Sequence, residues 1–227
     1  ICACLVGSEM CIRDRRYGIY LSTTTIHKYM NKDLNLSAIV MRKKPGYKSC
    51  KKHKIFDNLL KQKFNVDEKN KIWCTDFTYM RQPNGKFRYN CTIMDLFDRS
   101  AIASVNSDYI NTELAIETLT EALKKEKPNN GILLHSDQGV QYTSWEFVNF
   151  CKDNGVIQSM SKAGCPYDNA PMERFYNTFK NCFYYRYTFE SVEQLDEMTK
   201  QYINWYNYVR PHSTNNYMTP MEFRYRA

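Results

Sequence analysis

Apolar and polar positions alternate along the chain from residue 72, a pattern typical of half-buried β-strands. Residues 72–79 are rich in β-branched and aromatic side chains, so a first strand is predicted there. Asn84 and Gly85 follow as a hairpin signal. A second strand over residues 87–94 and a third over residues 101–105 complete a predicted antiparallel meander.

After this meander the apolar positions recur at intervals of three and four, which indicates helices alternating with strands. The predicted elements are a helix over residues 112–125, a strand over 132–135, a helix ending near 153 and a fifth strand over 156–160. Thr143 and Glu146 fit a capping box at the start of the second helix. Gly155 suits the position just past the end of that helix.

Two more helices are predicted in the C-terminal third of the chain. Residues 162–168 are predicted as a loop, after which Asp168 or Asn169 caps a helix that carries Glu173. The last long helix is predicted over residues 191–208. The order of elements, β-β-β-α-β-α-β-α-α, indicates an α/β protein with a mixed five-stranded sheet and helices packed on its faces.

The N-terminal part of the chain has a different character. Residues 1–15 fit nothing that follows and are interpreted as non-native sequence. Residues 17–41 have helical spacing, with Ser22 or Thr23 as the cap of a short helix. This segment suits either the second half of a helix-turn-helix or an ordinary helical appendage.

A basic linker joins this segment to the sheet. Residues 41–71 contain eleven Lys and Arg but three Asp and Glu, a local excess equal to the net charge of +8 of the whole chain. The candidates for contact with a phosphate backbone are Arg42, Lys43 and Lys44. A merely solvated linker is the alternative. We therefore predict a partial helix-turn-helix and linker over residues 16–62, followed by a catalytic domain over residues 63–227.

Composition restricts the class of protein further. A chain of 227 residues with 43% hydrophobic content supports one α/β domain with a small appendage. No apolar run approaches the ~20 residues of a membrane span, and no signal peptide is evident, so a cytoplasmic protein without a membrane partner is expected. The nine cysteines are odd in number and include no Cys-x-x-Cys pair, so neither a disulfide framework nor a zinc site is predicted.

Three carboxylates are the strongest candidates for chemistry. Asp76 lies among apolar neighbours in the first strand, where an unpaired carboxylate is costly. Asp137 follows the fourth strand beside a turn at Gly139 and is either a turn former or a metal ligand. Glu173 joins them if strands one and four are neighbours. Three anions within ~4 Å would repel by ~4 kcal/mol per pair at a dielectric constant of roughly 20.

Such a cluster implies a divalent cation. Oxygen-only ligands favour Mg²⁺ or Mn²⁺ over zinc. Two such ions would form a clamp for in-line phosphoryl transfer, in which one ion activates the attacking oxygen and the other stabilises the leaving oxygen.

Other polar side chains each have two interpretations. Lys180 follows Glu173 by two helical turns, about 10 Å on the same face, and could grip a phosphate. His135 is an acid or base, or a structural residue, and the structural role is favoured. Arg210 and His212 are either DNA contacts or part of the C-terminal packing. Base stacking or core packing is predicted for Tyr184 and Tyr185.

Three blocks of the sequence resemble the signature motifs of orfB-type insertion-sequence transposases, which have a retroviral-integrase-like (DDE) catalytic core. These blocks are Trp73–Tyr79, His135–Ser144 and Asp168–Phe175. Asp137 and Glu173 are separated by 35 residues, as in that family, and Lys180 matches the basic residue that follows. Residues 206–212 and 219–223 resemble its closing motif, so the likeness extends from about residue 17 to the end.

The resemblance implies a ribonuclease-H-like fold with helices on both faces of the sheet. It also implies a metal site of Asp76, Asp137 and Glu173 with two Mg²⁺ or Mn²⁺ ions, and DNA strand cleavage followed by strand transfer. The implied partners are double-stranded DNA, contacted by Lys180 and by Lys162 in a mobile loop, further copies of the chain on DNA, and an orfA-type protein. A bacterial cytoplasmic location at the nucleoid follows.

Two alternatives to the transposase remain open at this point. A nuclease of the same fold would share the carboxylates but would cleave without strand transfer. A catalytically inactive, truncated DNA-binding remnant would keep the basic surface and lose the chemistry.

Overall fold

A mixed five-stranded sheet organises the part of the chain that the structure describes. The computed structural model describes residues 18, 21–35, 54–82, 84–129 and 131–226. The strands are β1 (Ile72–Arg81), β2 (Phe87–Asp95), β3 (Ala101–Ser107), β4 (Ile132–Ser136) and β5 (Val156–Met160). Their order is β3-β2-β1-β4-β5, with β1–β3 antiparallel and with β4 and β5 parallel to β1. The predicted meander and mixed sheet are confirmed.

Helices connect and cover these strands. They are α1 (Thr23–Lys28), α2 (Thr112–Glu126), α3 (Val140–Thr143), α4 (Trp145–Asp153), α5 (Ala170–Cys182), α6 (Val192–Tyr208) and α7 (Pro220–Arg226). Three 3₁₀ turns lie at Pro166–Asn169, Tyr184–Arg186 and Ser213–Asn215. Within the described ranges, no helix combines the length and apolar character needed to cross a membrane.

Helices pack on both faces of the sheet, as the resemblance implied. One face carries Cys74, Met80 and Met94 and is covered by α5 and α6 through aromatic residues. The shared residues of that aromatic layer are Phe175, Tyr176, Phe179, Phe183, Tyr202 and Tyr206. The opposite face carries Trp73 and Ile93 and is covered by α2, α3 and α4. The alternation within β1 thus divides its side chains between two cores.

The start of α4 differs from the prediction. Ser144, and not Thr143, is its N-cap, and the Ser144 Oγ accepts a hydrogen bond from the Phe147 amide at 3.2 Å. Thr143 is the last residue of the additional helix α3 and is fully buried. The predicted capping box of Thr143 and Glu146 is therefore wrong. Gly155 does follow the end of α4 with a φ of +67°, as predicted.

The N-terminal segment forms the short helix that the sequence predicted. Ser22 Oγ accepts a hydrogen bond from the Thr25 amide at 3.1 Å and caps α1. The helix continues as a π-helix over Tyr29–Asp33. Membership in a helix-turn-helix stays a prediction. The segment at residues 1–15 and the phosphate contacts at Arg42, Lys43 and Lys44 lie outside the described residues.

Residues 54–62, which we call the linker segment, run beside the outer edge of β5. The Met160 amide donates to the Asp57 carbonyl at 3.3 Å, and the Leu59 amide donates to Ser159 Oγ at 2.9 Å. The Lys54 amide donates to the Thr143 carbonyl at 3.1 Å. This part of the predicted linker therefore contacts the sheet domain, while the domain boundaries themselves stay predictions.

The C-terminal helices contact the sheet at the edge formed by β3. Asn207 at the end of α6 is buried, and its side-chain amide pairs with the backbone N–H and C=O of Ala101, both at 2.9 Å. Arg224 on α7 is also buried and forms ion pairs with three acids, Asp95, Asp98 and Glu126. These contacts join the last two helices to β3 and to the ends of β2 and α2.

Candidate active site

Strand β1 extends well beyond its parallel neighbour. The pairing of β1 with β4 covers Ile72 to Cys74, whereas β1 continues to Arg81. The last pair is Cys74 with His135. Asp76 and Asp137 each lie two residues past that pair, so they occupy the same level, Asp137 just past the end of β4 and Asp76 midway along β1. The predicted neighbourhood of these two aspartates is therefore present.

Asp76 is half-buried on the face of the sheet that α5 covers. Its Oδ1 accepts a hydrogen bond from the Phe77 amide at 2.7 Å, and its carbonyl accepts one from the Tyr176 hydroxyl at 2.9 Å. Burial, and then the charge of Asp137, raise the pKa of Asp76 to about 8, with Glu173 acting in the same direction. Asp76 thus interacts with two other carboxylates. A pKa shifted by burial and by neighbouring charges is common for carboxyl groups at functional sites.

Asp137 is exposed directly after β4 and is fixed by the turn that follows. Its Oδ1 accepts a hydrogen bond from the Gly139 amide at 2.8 Å. Gly139 has a φ of −60° and a ψ of 146°, which any residue can adopt, so the turn does not use glycine's conformational freedom. A Cβ there would lie 2.9 Å from Asp137 Oδ1, so any larger residue would force that carboxylate to shift.

Helix α5 brings the third carboxylate and a lysine to the same place. The helix is anchored by Met172, Phe175 and Phe179, which are fully buried against the sheet. Glu173 is exposed at its first turn, and Lys180 is half-buried two turns later. Burial lowers the pKa of Lys180, and the nearby Asp76 carboxylate opposes that change. Lys180 Nζ also lies over the Tyr79 ring, 4.3 Å from its centroid.

The loop before α5 is organised by Asp168. Its carboxylate accepts hydrogen bonds from the Lys162 amide at 2.9 Å, from Asn58 Nδ2 at 2.9 Å and from Gln62 Nε2 at 2.7 Å. These bonds, led by the one from Gln62, hold the pKa of Asp168 below its usual value. Asp168 therefore connects the linker segment to the loop, and the Lys162 side chain is left exposed there.

Asn169 occupies the N-cap position of α5, but its side chain makes no capping hydrogen bond. Its Nδ2 instead donates to the Thr75 carbonyl at 3.1 Å, and its buried Oδ1 has no hydrogen-bond partner among the described residues. The predicted cap by Asp168 or Asn169 is therefore wrong. Both side chains are used in longer-range contacts, with the linker segment and with β1, that secure the loop and α5 beside Asp76.

His135 has the structural role that the sequence favoured. The ring is fully buried, and its two nitrogens bond to Ser159 Oγ at 2.9 Å and to Ser161 Oγ at 3.1 Å. Burial lowers the pKa of His135 to about 4, so the ring is neutral at physiological pH. It ties β4 to the end of β5 just before Asp137.

Arg210 and His212 lie within the C-terminal packing. Arg210 is buried with its guanidinium 5.6 Å from the centroid of the Tyr206 ring, and the His212 ring meets the same tyrosine edge to face. Burial, and then Arg210, lower the pKa of His212 to about 3. Of the two predicted roles, this placement favours packing over contact with DNA.

The donor chemistry at Asp76, Asp137 and Glu173 fits a hard divalent cation, because all three supply carboxylate oxygens. The buried Asn169 Oδ1 has no hydrogen-bond partner among the described residues, while Nδ2 of the same side chain donates to the carbonyl of Thr75, the residue before Asp76. Across the described ranges, no three His, Cys, Asp or Glu side chains form a ready ligand set for a metal ion. The carboxylates thus have the donor chemistry for Mg²⁺ or Mn²⁺, but their side chains are not arranged as a complete ligand set.

Comparison with known proteins identifies the fold. Residues 66–166 match the family of integrase core domains, and residues 154–220 match a second family with the same description. Among solved structures, the HTLV-2 integrase catalytic core domain in complex with magnesium (dimeric form) is 16% identical with a TM-score of 0.56, covering 69% of this chain and 97% of that one. The mixed sheet and its helices define a ribonuclease-H-like integrase core.

Curated relatives identify the family. The transposase for insertion sequence element IS904 of Lactococcus lactis subsp. lactis (strain IL1403) is 35% identical over 167 residues, which is 73% of this chain and 66% of that protein. An uncharacterized transposase-like protein of Haemophilus influenzae is 35% identical over 173 residues, 75% of this chain and 78% of that protein. The chain belongs to the insertion-sequence transposases. It spans just under two thirds of the length of the IS904 relative.

Proposed function

We propose that the chain catalyses cleavage and strand transfer of DNA at the ends of an insertion element. The observation that carries this proposal is the register of β1 with β4, which places Asp76 and Asp137 level with each other, together with the charge interactions of Asp76 with Asp137, Glu173 and Lys180. Family membership supports the same reaction class. Joining a 3′-hydroxyl to a target phosphodiester requires positioning and charge stabilisation, and no covalent enzyme intermediate is needed.

The carboxylates of Asp76, Asp137 and Glu173 would hold two divalent ions. Bound ions would supply activation of the attacking oxygen and stabilisation of the leaving oxygen. The residues of the chain would do the rest: Gly139 and Phe77 amides fix the two aspartates, α5 presents Glu173, and Lys180 would bind a phosphate beside them. Neutral His135 keeps the strand ends together and takes no proton.

An assay with pre-cut DNA tests this function. Duplexes carrying the termini of the element that encodes the chain are incubated with target DNA and Mg²⁺, and the products are separated by size. Joined products support the transposase. Nicking without joining would indicate the nuclease of the same fold, and retention of DNA without any product would indicate an inactive DNA-binding remnant.

The matched variant for this assay is Asp137→Asn. It keeps the size of the side chain and its hydrogen bond to the Gly139 amide while it removes the charge. We expect strand transfer to fall by at least ~10²-fold, in line with loss of a residue that orients reacting groups, whereas non-specific DNA binding stays within about twofold. Full activity in Asp137→Asn would show that the metal-site assignment is wrong.

The proposed partners follow from the proposed reaction. Double-stranded DNA is the substrate and target, and the exposed Lys162 and the half-buried Lys180 are the proposed contacts beside the carboxylates. We propose that copies of the chain assemble on DNA, a proposal that the dimeric form of the HTLV-2 integrase core supports. An orfA-type protein as helper and a location at the bacterial nucleoid are further parts of this proposal.

A further inference from the structure

One surface beside the carboxylates is both basic and aromatic. It consists of residues 79–82, 84–89 and 180–187, and we call it the aromatic surface. These residues include five Lys and Arg and no Asp or Glu. Arg88 is paired with Asp108 and Asp196, whereas the other four basic side chains, those of Arg81, Lys86, Lys180 and Arg186, form no ion pair with any described residue. The surface therefore has a net positive charge.

Direct contacts hold the two parts of the aromatic surface together. Lys180 lies over the Tyr79 ring, and the Tyr184 hydroxyl donates to the Arg81 carbonyl at 2.8 Å and accepts from the Arg81 amide at 2.6 Å. Tyr79 and Phe87 meet edge to face with their centroids 5.6 Å apart. Past Cys74, the edge of β1 is not paired with β4. These contacts join that edge to the turn after α5 in one continuous surface.

The rings of this surface divide into packed and exposed sets. Tyr184 stacks on Phe189 at an interplanar angle of 11° and uses its hydroxyl on β1, so it serves the core packing. In contrast, four rings keep large exposed fractions: Tyr79 at 45%, Phe87 at 43%, Tyr185 at 41% and Tyr187 at 54%. Burial of apolar area does not explain rings that remain in contact with water.

We propose that the aromatic surface binds the unpaired nucleotides of a DNA strand, with Tyr79 as the stacking residue nearest to the carboxylates. Base faces are available for stacking on aromatic rings when the strand is unpaired, and Lys and Arg between the rings accompany the phosphates. Tyr79 lies three residues past Asp76 on β1, about 10 Å along the strand, so the two side chains leave opposite faces of the sheet. Lys180 connects them around the open edge of β1, because its Nζ lies over the Tyr79 ring and its charge interacts with the Asp76 carboxylate.

This inference rests on the proposed function, because strand cleavage generates the unpaired end that the surface would hold. The binding itself needs no catalysis. Binding is therefore measured in EDTA, where a failure of the metal chemistry leaves the result unaffected, and the joining assay described above reports separately on the chemistry.

The test is the affinity of the whole chain for a fluorescein-labelled oligothymidylate of about 15 nucleotides, a length comparable to known single-strand sites. Tyr79→Ala should weaken this affinity by about 5- to 150-fold, the equivalent of one lost base–aromatic stack. Affinity for a blunt duplex of the same length should change by less than about twofold, because paired bases do not stack on the ring. Tyr79→Phe should keep the single-strand affinity.

Tyr208→Ala is the matched control, because Tyr208 is also an exposed tyrosine, at 57% against 45% for Tyr79, but lies at the far end of α6, beside the Asn207 contact with β3. It should leave the oligothymidylate affinity unchanged. An unchanged affinity in Tyr79→Ala would overturn the proposal. Equal losses for single-stranded and duplex DNA would also overturn it, as would a change in the oligomeric state of Tyr79→Ala, which would indicate a contact between copies.

Discussion

Arg224 offers the sharpest test of how the C-terminal helix is held to the sheet. Its guanidinium lies among Asp95 and Asp98, both fully buried, and Glu126, which is partly buried. Arg224→Met keeps most of the side-chain volume and removes the charge. The variant would leave three carboxylates without the guanidinium that pairs with all of them.

The magnitude follows from what remains in the variant. Breaking a buried ion pair by removing one partner costs about 3–5 kcal/mol. Asp95 would keep hydrogen bonds from the Asn70 and Phe97 amides, and Asp98 would keep one from the Ser100 amide. These bonds place the expected loss near the lower limit, at about 3 kcal/mol, which corresponds to a fall in Tm of roughly 6–12 °C for a domain of this size.

Urea unfolding at pH 7 and at pH 5 measures this loss. Burial, and then Asp98, raise the pKa of Asp95 already in the native protein, and removal of the guanidinium raises it further. A carboxyl whose pKa is higher in the folded state than in the unfolded state gains stability as pH falls. The deficit of Arg224→Met should therefore shrink from pH 7 to pH 5.

Arg226→Met is the control, because Arg226 is exposed on the same helix and contacts only Met218 Sδ at 3.6 Å among the described side chains. Its unfolding free energy should change by no more than about 0.5 kcal/mol. A loss below about 1 kcal/mol in Arg224→Met, or a deficit that grows on acidification, would refute the reasoning.

Three further predictions concern the candidate site and its supports. Gly139→Ala should reduce strand transfer at least ~10-fold by displacing Asp137, whereas thermal unfolding should show almost no loss of stability, because the backbone there is open to alanine. Ser144→Ala should lower the unfolding free energy by about 1 kcal/mol through loss of the α4 cap, measured in urea. Asp168→Asn should be less stable than the native chain at pH 7, and titration of both proteins should show the difference disappear as pH falls below about 4. The lowered pKa of Asp168 gives a stabilisation that is present above the ordinary aspartate pKa and lost on acidification.

The strands could be predicted from sequence because their alternation is strong and local. The predicted fifth strand agrees with Val156–Met160, and the first continues two residues beyond its predicted end, to Arg81. Helix α3 could not be predicted, because a helix of four residues is too short to show a period. Because Thr143 belongs to α3, the N-cap of α4 is Ser144 and not Thr143. The pattern of capping residues alone cannot decide between these two neighbours.

Some features of the candidate site could likewise be predicted from sequence, and others could not. The spacing of Asp137 and Glu173 and their motifs indicated the carboxylates, and the register of β1 with β4 places the two aspartates level. The role of Asp168 had no local signal, because Asn58 and Gln62 lie 110 and 106 residues away in sequence. The sequence predicted a turn at Gly139, but its closeness to the Asp137 carboxylate has no signal in the sequence, since backbone angles and side-chain clearance cannot be separated without coordinates.

The two outer strands of the sheet have a consequence for self-association. On β3, the side chain of Asn207 occupies both hydrogen-bonding groups of Ala101, and on β5 the Asp57 carbonyl accepts the Met160 amide. An exposed strand edge is a template on which another chain can add a strand and begin to aggregate. Here the end of α6 occupies the edge of β3 at Ala101, and the linker segment occupies the edge of β5 at Met160. A strand added by another copy of this protein would therefore have to displace Asn207 or the linker segment to pair with Ala101 or Met160.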